Sequence, residues 1–187
     1  MGEDMIKNLS FKKKALAKKH YTLYTIDYYG YTKMLGEKYC ECIARPCVIY
    51  GAKPASGKIN SALWLINKLR NKEEVKIVTD QFITPTLNTN LGKRLLEISK
   101  RRLKGIFHTA GATRVSRYEF ALRIADKFGL DKNLIIPSRM DEMKWIASRP
   151  KDSSLDTSKA SRYLKEKPLD LDIALEILKG ELKDKGG

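Results

Sequence analysis

The feature that most constrains the fold is the alternation of strand-like and helical segments after residue 20. Short apolar runs have the composition of buried strands, and they occur at residues 44–50, 75–78, 105–108 and 134–136. Apolar residues at helical spacing predict helices over residues 27–42, 60–69, 90–99, 116–128 and 156–164 and after Pro168. Strands that alternate with helices in this way favour an α/β fold with parallel strand pairing.

One helix carries explicit start and stop signals. Ser116 and Glu119 have the S-x-x-E spacing of a capping box, and apolar residues follow at helical spacing. Gly129 comes directly after the last of them, where glycine commonly ends a helix. The sequence therefore predicts both ends of this helix.

The charge balance is strongly basic, with 37 Lys and Arg against 22 Asp and Glu and a formal charge of +15. Such a surplus attracts phosphates, nucleic acid or anionic membranes. The basic residues are, however, mixed with acidic ones along the whole chain, which is typical of a solvated surface. We divide the chain into a basic N-terminal segment, residues 1–20, and a reductase-like part, residues 21–187.

The cysteines and the apolar runs indicate a cytoplasmic protein. Cys40, Cys42 and Cys47 are an odd number within eight residues, which is a poor disulfide framework and an incomplete zinc site. We expect free thiols and no metal. No apolar run is long enough for a signal peptide or a membrane span, so we expect no membrane association.

The chemistry rests on Tyr29-Gly30-Tyr31-Thr32-Lys33, a Y-x-x-x-K pattern. On a helix, Tyr29 and Lys33 share one face about 6 Å apart along the axis. An ammonium group there stabilises a phenolate, so the phenol can donate a proton to a carbonyl oxygen while hydride attacks the carbon. The pattern alone is weak, because Tyr163 and Lys167 repeat it just before Pro168. A surface tyrosine remained the alternative for Tyr29.

Several segments in order resemble one family. Residues 27–37 resemble a catalytic helix of the form Y-G-x-S/T-K followed by G-E, and residues 45–51 resemble a strand end of the form R-x-x-x-V/I-Y/F-G. Further segments resemble D-Q-x-x-S/T-P-T (79–86), G-I/V-Y/F-H-x-A/S-G (105–111), S-x-Y/W-E-F/L-A (116–121) and R-P-x-x-S/T-x-L-D (149–156). In order and spacing they resemble the C-terminal half of dTDP-4-dehydrorhamnose reductases, a family of extended short-chain dehydrogenases/reductases, over residues 21–182.

The resemblance implies a fold and a reaction. The expected fold is the C-terminal part of a Rossmann-like parallel sheet plus a small substrate-binding lobe, with the first βαβ nucleotide-binding half missing. The sequence contains no Gly-rich G-x-G-x-x-G turn, the element that holds the pyrophosphate in such folds. The implied reaction is NADPH- or NADH-dependent reduction of a 4-keto nucleotide sugar. Because that turn is lacking, we expect poor cofactor binding and no turnover by the chain alone.

The resemblance also assigns residues. Tyr29 corresponds to the general acid and Lys33 to its partner and to a contact of the nicotinamide ribose, while Val48 and Ile49 lie beside the nicotinamide and the sugar. Asn60, Gln81 and Arg149 correspond to substrate contacts; the arginine suits phosphate best, since a guanidinium grips it with two parallel bonds. A helix cap (Asn60), local backbone bonding (Gln81) and a surface ion pair (Arg149) remained open alternatives.

Two departures from the family pattern affect the assignment. The Ser or Thr that bonds the substrate carbonyl precedes the catalytic tyrosine in the family, and Thr22 and Thr25 lie too close to Tyr29 to replace it. Many members carry Trp at the position of Val48, which leaves the sugar undetermined.

The sequence is compatible with three functions. The first is the reductase, with a nucleotide-sugar substrate and either a homodimer or a missing N-terminal partner chain. The second is a non-catalytic binding or regulatory subunit, or a truncated remnant. The third is a basic nucleic-acid-binding protein, for which the sequence offers charge but no recognised module, so we expect no specific nucleic-acid partner.

Overall fold

The computed structural model describes residues 28–53 and 57–183. The predicted basic segment 1–20, together with Thr22 and Thr25, lies outside the described residues. The described helices are α1 (Tyr28–Glu37), α2 (Ser61–Arg70), α3 (Asn88–Lys100), α4 (Arg117–Phe128), α5 (Ser158–Tyr163) and α6 (Leu171–Lys183). The strands are β1 (Cys42–Arg45), β2 (Ile49–Tyr50), β3 (Val75–Val78), β4 (Phe82–Ile83), β5 (Thr86–Leu87), β6 (Gly105–His108), β7 (Val115–Ser116) and β8 (Ile135–Ser138).

The strand pairing is mainly parallel, which confirms the α/β prediction. Strand β1 pairs with β6, β2 with β5 and β3 with β8, all parallel. The short pair β4–β7 is antiparallel, and an isolated bridge joins Phe82 to Asp152 in the C-terminal part of the chain. Each parallel partner is reached through a helical crossover, as parallel strands require.

The single strand predicted over residues 44–50 is wrong in one respect: the structure has two strands there. Pro46 has no N–H for a ladder, and Val48 has a φ of 40°, so the chain leaves β6 and joins β5 within three residues. The helix predicted over residues 27–42 ends at Glu37, because i→i−3 bonds tighten its end before β1 begins at Cys42.

The cap signals of α4 are confirmed. Ser116 Oγ accepts a hydrogen bond from the Glu119 backbone N–H at 3.0 Å. Gly129 follows the helix at a φ of 63°, the left-handed conformation that glycine adopts without a Cβ penalty. Local sequence therefore determines both ends of this helix.

The main core lies between α2, α4, α6 and the strands. Each of these helices buries one apolar stripe, and the buried members are Ala62, Leu65, Ile66, Leu69, Phe120, Ala121, Ile124, Ala125, Leu171, Ala174, Leu175 and Leu178. A smaller cluster joins Ile98, Phe107, Ala160 and Leu164. Helix α1 contributes no buried residue to either cluster.

Further features concern the cysteines, membrane-spanning helices and His108. Cys40, Cys42 and Cys47 are free thiols, and the described residues hold no cluster of metal ligands. No helix in the described part is long and apolar enough to cross a membrane. His108, at the end of β6, is half-buried, with its Nδ1 atom 2.9 Å from the carbonyl oxygen of Asp156.

Candidate active site

Tyr29 and Lys33 lie on the same face of α1. The Lys33 Nζ atom is 5.3 Å from the centroid of the Tyr29 ring, as the i, i+4 spacing predicts. The Tyr29 side chain is 70% exposed, and Lys33 is exposed as well. The pair therefore presents a phenol and an ammonium together on an accessible helix surface.

Helix α1 is tied to the sheet by a bidentate ion pair. Arg45, at the end of β1, donates from Nε to Glu37 Oε1 at 2.7 Å and from Nη2 to Glu37 Oε2. Paired parallel bonds of this kind fix orientation as well as distance. The ion pair joins the Glu at the end of α1 to the Arg at the end of β1, and neither sequence segment alone predicts this contact.

Val48 ends the turn between β1 and β2, and Ile49 is the first residue of β2. Val48 is a β-branched residue at positive φ, a conformation that costs about 1–3 kcal/mol and persists where surrounding structure imposes it. The Thr86 N–H donates to Val48 O at 3.0 Å and holds the turn against β5. Within the described residues, no hydrogen bond, ion pair or ring contact joins the Tyr29–Lys33 pair to this turn, so a common nicotinamide site stays a prediction.

Asn60 caps α2 and holds the loop after β2. Its Oδ1 atom accepts hydrogen bonds from the N–H groups of Ala62 and Leu63, at 3.2 and 3.1 Å. Its Nδ2 atom donates to Gly51 O at 2.8 Å. The helix-cap alternative is confirmed, and a substrate contact by Asn60 stays a prediction.

Gln81 is buried, with 3% of its surface exposed, and it bonds to remote residues rather than to local backbone. Its Nε2 atom donates to Pro150 O at 3.1 Å, and its Oε1 atom accepts from Arg117 Nε. The local-backbone alternative for Gln81 is therefore wrong. The side chain connects the start of α4 with the segment that carries Arg149.

Arg149 is exposed, and its guanidinium lies over the Trp145 ring, 4.7 Å from the centroid. No carboxylate pairs with Arg149 among the described residues, so the ion-pair alternative is not what the structure shows. Cation–π contact of this kind orients the guanidinium without using its N–H groups. Those donors stay available for an anion.

Arg117 is a candidate that sequence reasoning missed. It is the first residue of α4, and its backbone N–H donates to Gln81 O at 2.9 Å. Burial lowers the pKa of its guanidinium, nearby Cys47 raises it and the positive charge of Arg149 lowers it. In the sequence, Arg117 occupies the variable position of the S-x-Y/W-E segment, and no other feature marks it as functional.

The family model described as RmlD substrate binding domain matches residues 18–178. The chain belongs to this family. The predicted resemblance to dTDP-4-dehydrorhamnose reductases is thereby confirmed. The RmlD match covers α1 to the greater part of α6, so it includes Tyr29, Lys33 and every predicted substrate residue.

Relatives of this RmlD-family chain are longer proteins. It is 31% identical over 140 residues to the "Probable low-salt glycan biosynthesis reductase Agl14" of Haloferax volcanii, covering 71% of this chain and 47% of that protein. It is 24% identical over 164 residues to a dTDP-4-dehydrorhamnose reductase of Aggregatibacter actinomycetemcomitans, covering 81% and 56%. The chain thus spans about half the length of these curated relatives.

Solved structures support the RmlD-type fold. A Bacillus anthracis dTDP-4-dehydrorhamnose reductase in complex with NADP superimposes with a TM-score of 0.78 at 23% identity, covering 86% of this chain and 58% of that one. A hypothetical dTDP-4-dehydrorhamnose reductase from Sulfolobus tokodaii gives 0.69 at 33% identity, covering 83% and 55%.

Proposed function

We propose that this chain supplies the catalytic helix and the substrate side of a nucleotide-sugar reductase, which reduces a keto group of a dTDP-linked deoxysugar. The observation that carries the proposal is the Tyr29–Lys33 pair, with the ammonium 5.3 Å from the phenol ring on one exposed helix face. Family membership and reductase relatives support it.

The proposed chemistry is one hydride and one proton transfer. NADPH or NADH, when bound, supplies the hydride that forms the new C–H bond. Tyr29 donates its phenolic proton to the carbonyl oxygen, so that a hydroxyl group forms, and Lys33 stabilises the resulting phenolate. The phenolate regains its proton from solvent after the product has left.

The residues present suit one end of the cofactor. Lys33 carries ammonium donors that could bond ribose hydroxyls, and no described carboxylate pairs with it. Val48 and Ile49 are proposed to contact the nicotinamide, since Ile49, at the start of β2, is 47% exposed. These 187 residues contain no Gly-rich turn for the pyrophosphate, and we propose that a surface outside them makes that contact.

The exposed aromatic side chains of α1 support contact between this helix and a nucleotide-binding surface. Tyr28, Tyr29 and Tyr31 are 78%, 70% and 43% exposed, and α1 has no buried residue. Hydride chemistry proceeds best where water is excluded. We therefore propose that a nucleotide-binding half covers this face of α1 in the active enzyme.

The test is a chimera in which residues 28–178 of this chain replace the matching half of the Haloferax volcanii reductase. We expect oxidation of NADPH or NADH with a dTDP-4-keto-6-deoxysugar, followed by absorbance at the reduced-nicotinamide band. Tyr29→Phe should lower kcat by about 10²–10⁴-fold, the usual worth of a general acid. Tyr28→Phe, on the neighbouring exposed residue, is the matched control.

Equal turnover in the Tyr29→Phe and Tyr28→Phe chimeras would remove Tyr29 from the mechanism. A folded chimera that binds dTDP yet never oxidises cofactor would favour the binding-subunit alternative instead.

A further inference from the structure

Two cysteines lie where the chain passes from α1 to β1, and the proposed reductase chemistry uses neither of them. Cys40 belongs to the α1–β1 link, residues 38–41, and Cys42 is the first residue of β1. Cys40 is exposed, Cys42 is half-buried and the third cysteine, Cys47, is buried; all three are free thiols. An accessible thiol therefore lies two positions from a second thiol.

The α1–β1 link is held to the structure on both sides of Cys40. The ion pair between Glu37 and Arg45 fixes the end of α1 to the end of β1. On the other side, the Gly105 N–H donates to the Glu41 carbonyl oxygen at 2.7 Å, which fixes the backbone between the two cysteines to β6. Because folding has already restricted this backbone, less conformational entropy remains to be lost when the two sulfur atoms meet.

The side chains of the link point to two different sides. The Glu41 carboxylate faces outward to Lys104, 2.9 Å from its Nζ atom, whereas Cys42 packs against the second core cluster next to Leu103. Side chains alternate along an extended chain, so we expect Cys40 on the same side as Cys42.

The backbone between the two cysteines also bends, with its centre at Glu41. In a straight strand, residues two positions apart are separated by about 6.6 Å. A disulfide spans Cα separations of about 4.4–6.8 Å, with a preference for the shorter values, so a bend brings such a pair into the favourable range. Geometry and accessibility thus favour a bond between these two sulfur atoms.

We propose that Cys40 and Cys42 form a reversible dithiol–disulfide pair, which a low-molecular-weight disulfide such as glutathione disulfide oxidises. The Cys40 thiolate attacks the disulfide and releases one glutathione thiolate, leaving a mixed disulfide on Cys40. Cys42 then loses its proton and attacks the Cys40 sulfur, and the second glutathione leaves. One S–S bond breaks and one forms, the protein loses two electrons and two protons, and two molecules of glutathione are produced.

The exposures assign the order of the two steps. Cys40 reacts first because it is open to solvent, and Cys42 is the resolving thiol because its side chain is half-buried beside Leu103. Accessible thiols poised beside a resolving cysteine are typical of redox-responsive sites. Cys47 is only 8% exposed and takes no part.

The experiment is oxidation of the folded 187-residue chain in buffers of graded glutathione to glutathione disulfide ratio, followed by alkylation and intact-mass measurement. We expect two thiols to disappear together without added glutathione and to return on reduction. Proteolytic cleavage after Glu41 separates Cys40 from Cys42, so fragments that stay joined identify the bond.

Matched variants separate the three cysteines. Cys47→Ser, or Cys47→Ala if the serine variant does not fold, should leave the oxidation unchanged and makes Cys42 the sole partner of Cys40. Cys42→Ser should stop the reaction at one glutathione on Cys40, and Cys40→Ser should abolish it, because the exposed attacking thiol is gone.

The same titration in concentrated urea measures what the fold contributes. We expect the equilibrium constant for forming the bond to be about tenfold or more larger in the folded chain than in the unfolded one, because the link is held and bent. Equal constants, stable glutathione on Cys40 with no internal bond, or dimers joined through Cys40 would each overturn the proposal. None of these results depends on turnover of the chimera, which tests the reductase proposal separately.

Discussion

Asn60 and Gly51 are joined by a hydrogen bond of 2.8 Å, from the Asn60 Nδ2 atom to the Gly51 carbonyl oxygen. The same Asn60 side chain accepts from two N–H groups at the start of α2. One amide therefore caps a helix and holds the loop that follows β2. The proposed nicotinamide contacts, Val48 and Ile49, lie within three residues before Gly51, so the backbone that follows them is held by the Asn60 side chain.

Replacement of Asn60 tests this linkage. Asn60→Ala should lower the free energy of unfolding by about 1–2 kcal/mol, because three hydrogen bonds are lost at a helix N-cap. Asn60→Asp should cost less, since it keeps the acceptor and loses only the donor. Urea unfolding followed by circular dichroism measures both. Asn67→Ala, on the exposed face of α2, is the control and should be close to neutral.

Gly51 is packed against Asn88, the first residue of α3. A Cβ at Gly51 would lie 2.1 Å from Asn88 Oδ1, so Gly51→Ala should destabilise the fold by about 1–3 kcal/mol. All three nearest atoms belong to the Asn88 side chain. Asn88→Ala should therefore recover most of the loss in the double variant, as a double-mutant cycle measures. Additive effects would show that the strain lies elsewhere.

Alanine substitutions at Gly111 and Gly92 should change stability in opposite directions. A Cβ at Gly111 would lie 2.1 Å from the backbone oxygen of Pro85, which no side-chain truncation removes, so Gly111→Ala should cost more than Gly51→Ala. Gly92, in the middle of α3, has open space around it, and Gly92→Ala should stabilise by about 0.5–1 kcal/mol. Thermal unfolding of the variants ranks them, and a destabilised Gly92→Ala would contradict the packing of α3.

His108 should make stability depend on pH. Burial lowers its pKa below the ordinary value, a hydrogen bond with the Asp156 backbone oxygen opposes this, and the charge of Arg45 adds to the lowering. The unfolded chain then binds a proton first as pH falls, so the stability contribution is complete above about pH 6.5 and declines below it. Lys159 and Asp156 are the other charged groups whose fields reach it.

The check is the unfolding free energy at pH 7.5, 6.5 and 5.5. Wild type should lose stability over this range by at most about 1.4 kcal/mol per pH unit for the one proton. His108→Gln should flatten that decline, because the amide does not titrate. Parallel curves for both proteins would mean that His108 is not the group responsible.

The isolated 187-residue chain should bind NADPH only weakly, with a Kd above about 1 mM, and should show no reductase turnover. Pyrophosphate recognition in this type of fold depends on a Gly-rich turn and a helix N-terminus, and the sequence has no such turn. Fluorescence titration with NADPH measures it, with Tyr29→Phe as the comparison. Micromolar binding and Tyr29-dependent oxidation would show that the chain is an enzyme by itself.

Sequence patterns predicted helices well where the interactions that define the helix lie within it. The capping box and Gly129 place the ends of α4, and apolar periodicity places α2, because hydrogen bonds and burial within one helix determine them. The strand at residues 44–50 was less predictable. Its division at Pro46–Val48 depends on which distant strands are available as partners, which are β6 for the first half and β5 for the second.

What the sequence by itself determined is the α/β class, the family and the Tyr29–Lys33 pair, because alternation, ordered motifs and i, i+4 spacing are all properties of neighbouring residues. Only the tertiary structure decided that Glu37 meets Arg45 and that Gln81 joins Arg117 to Pro150. Gln81 and Pro150 are 69 positions apart in the chain. Contacts at such separations depend on how whole elements pack, and no local pattern records which charged side chains are left without a carboxylate when packing is complete.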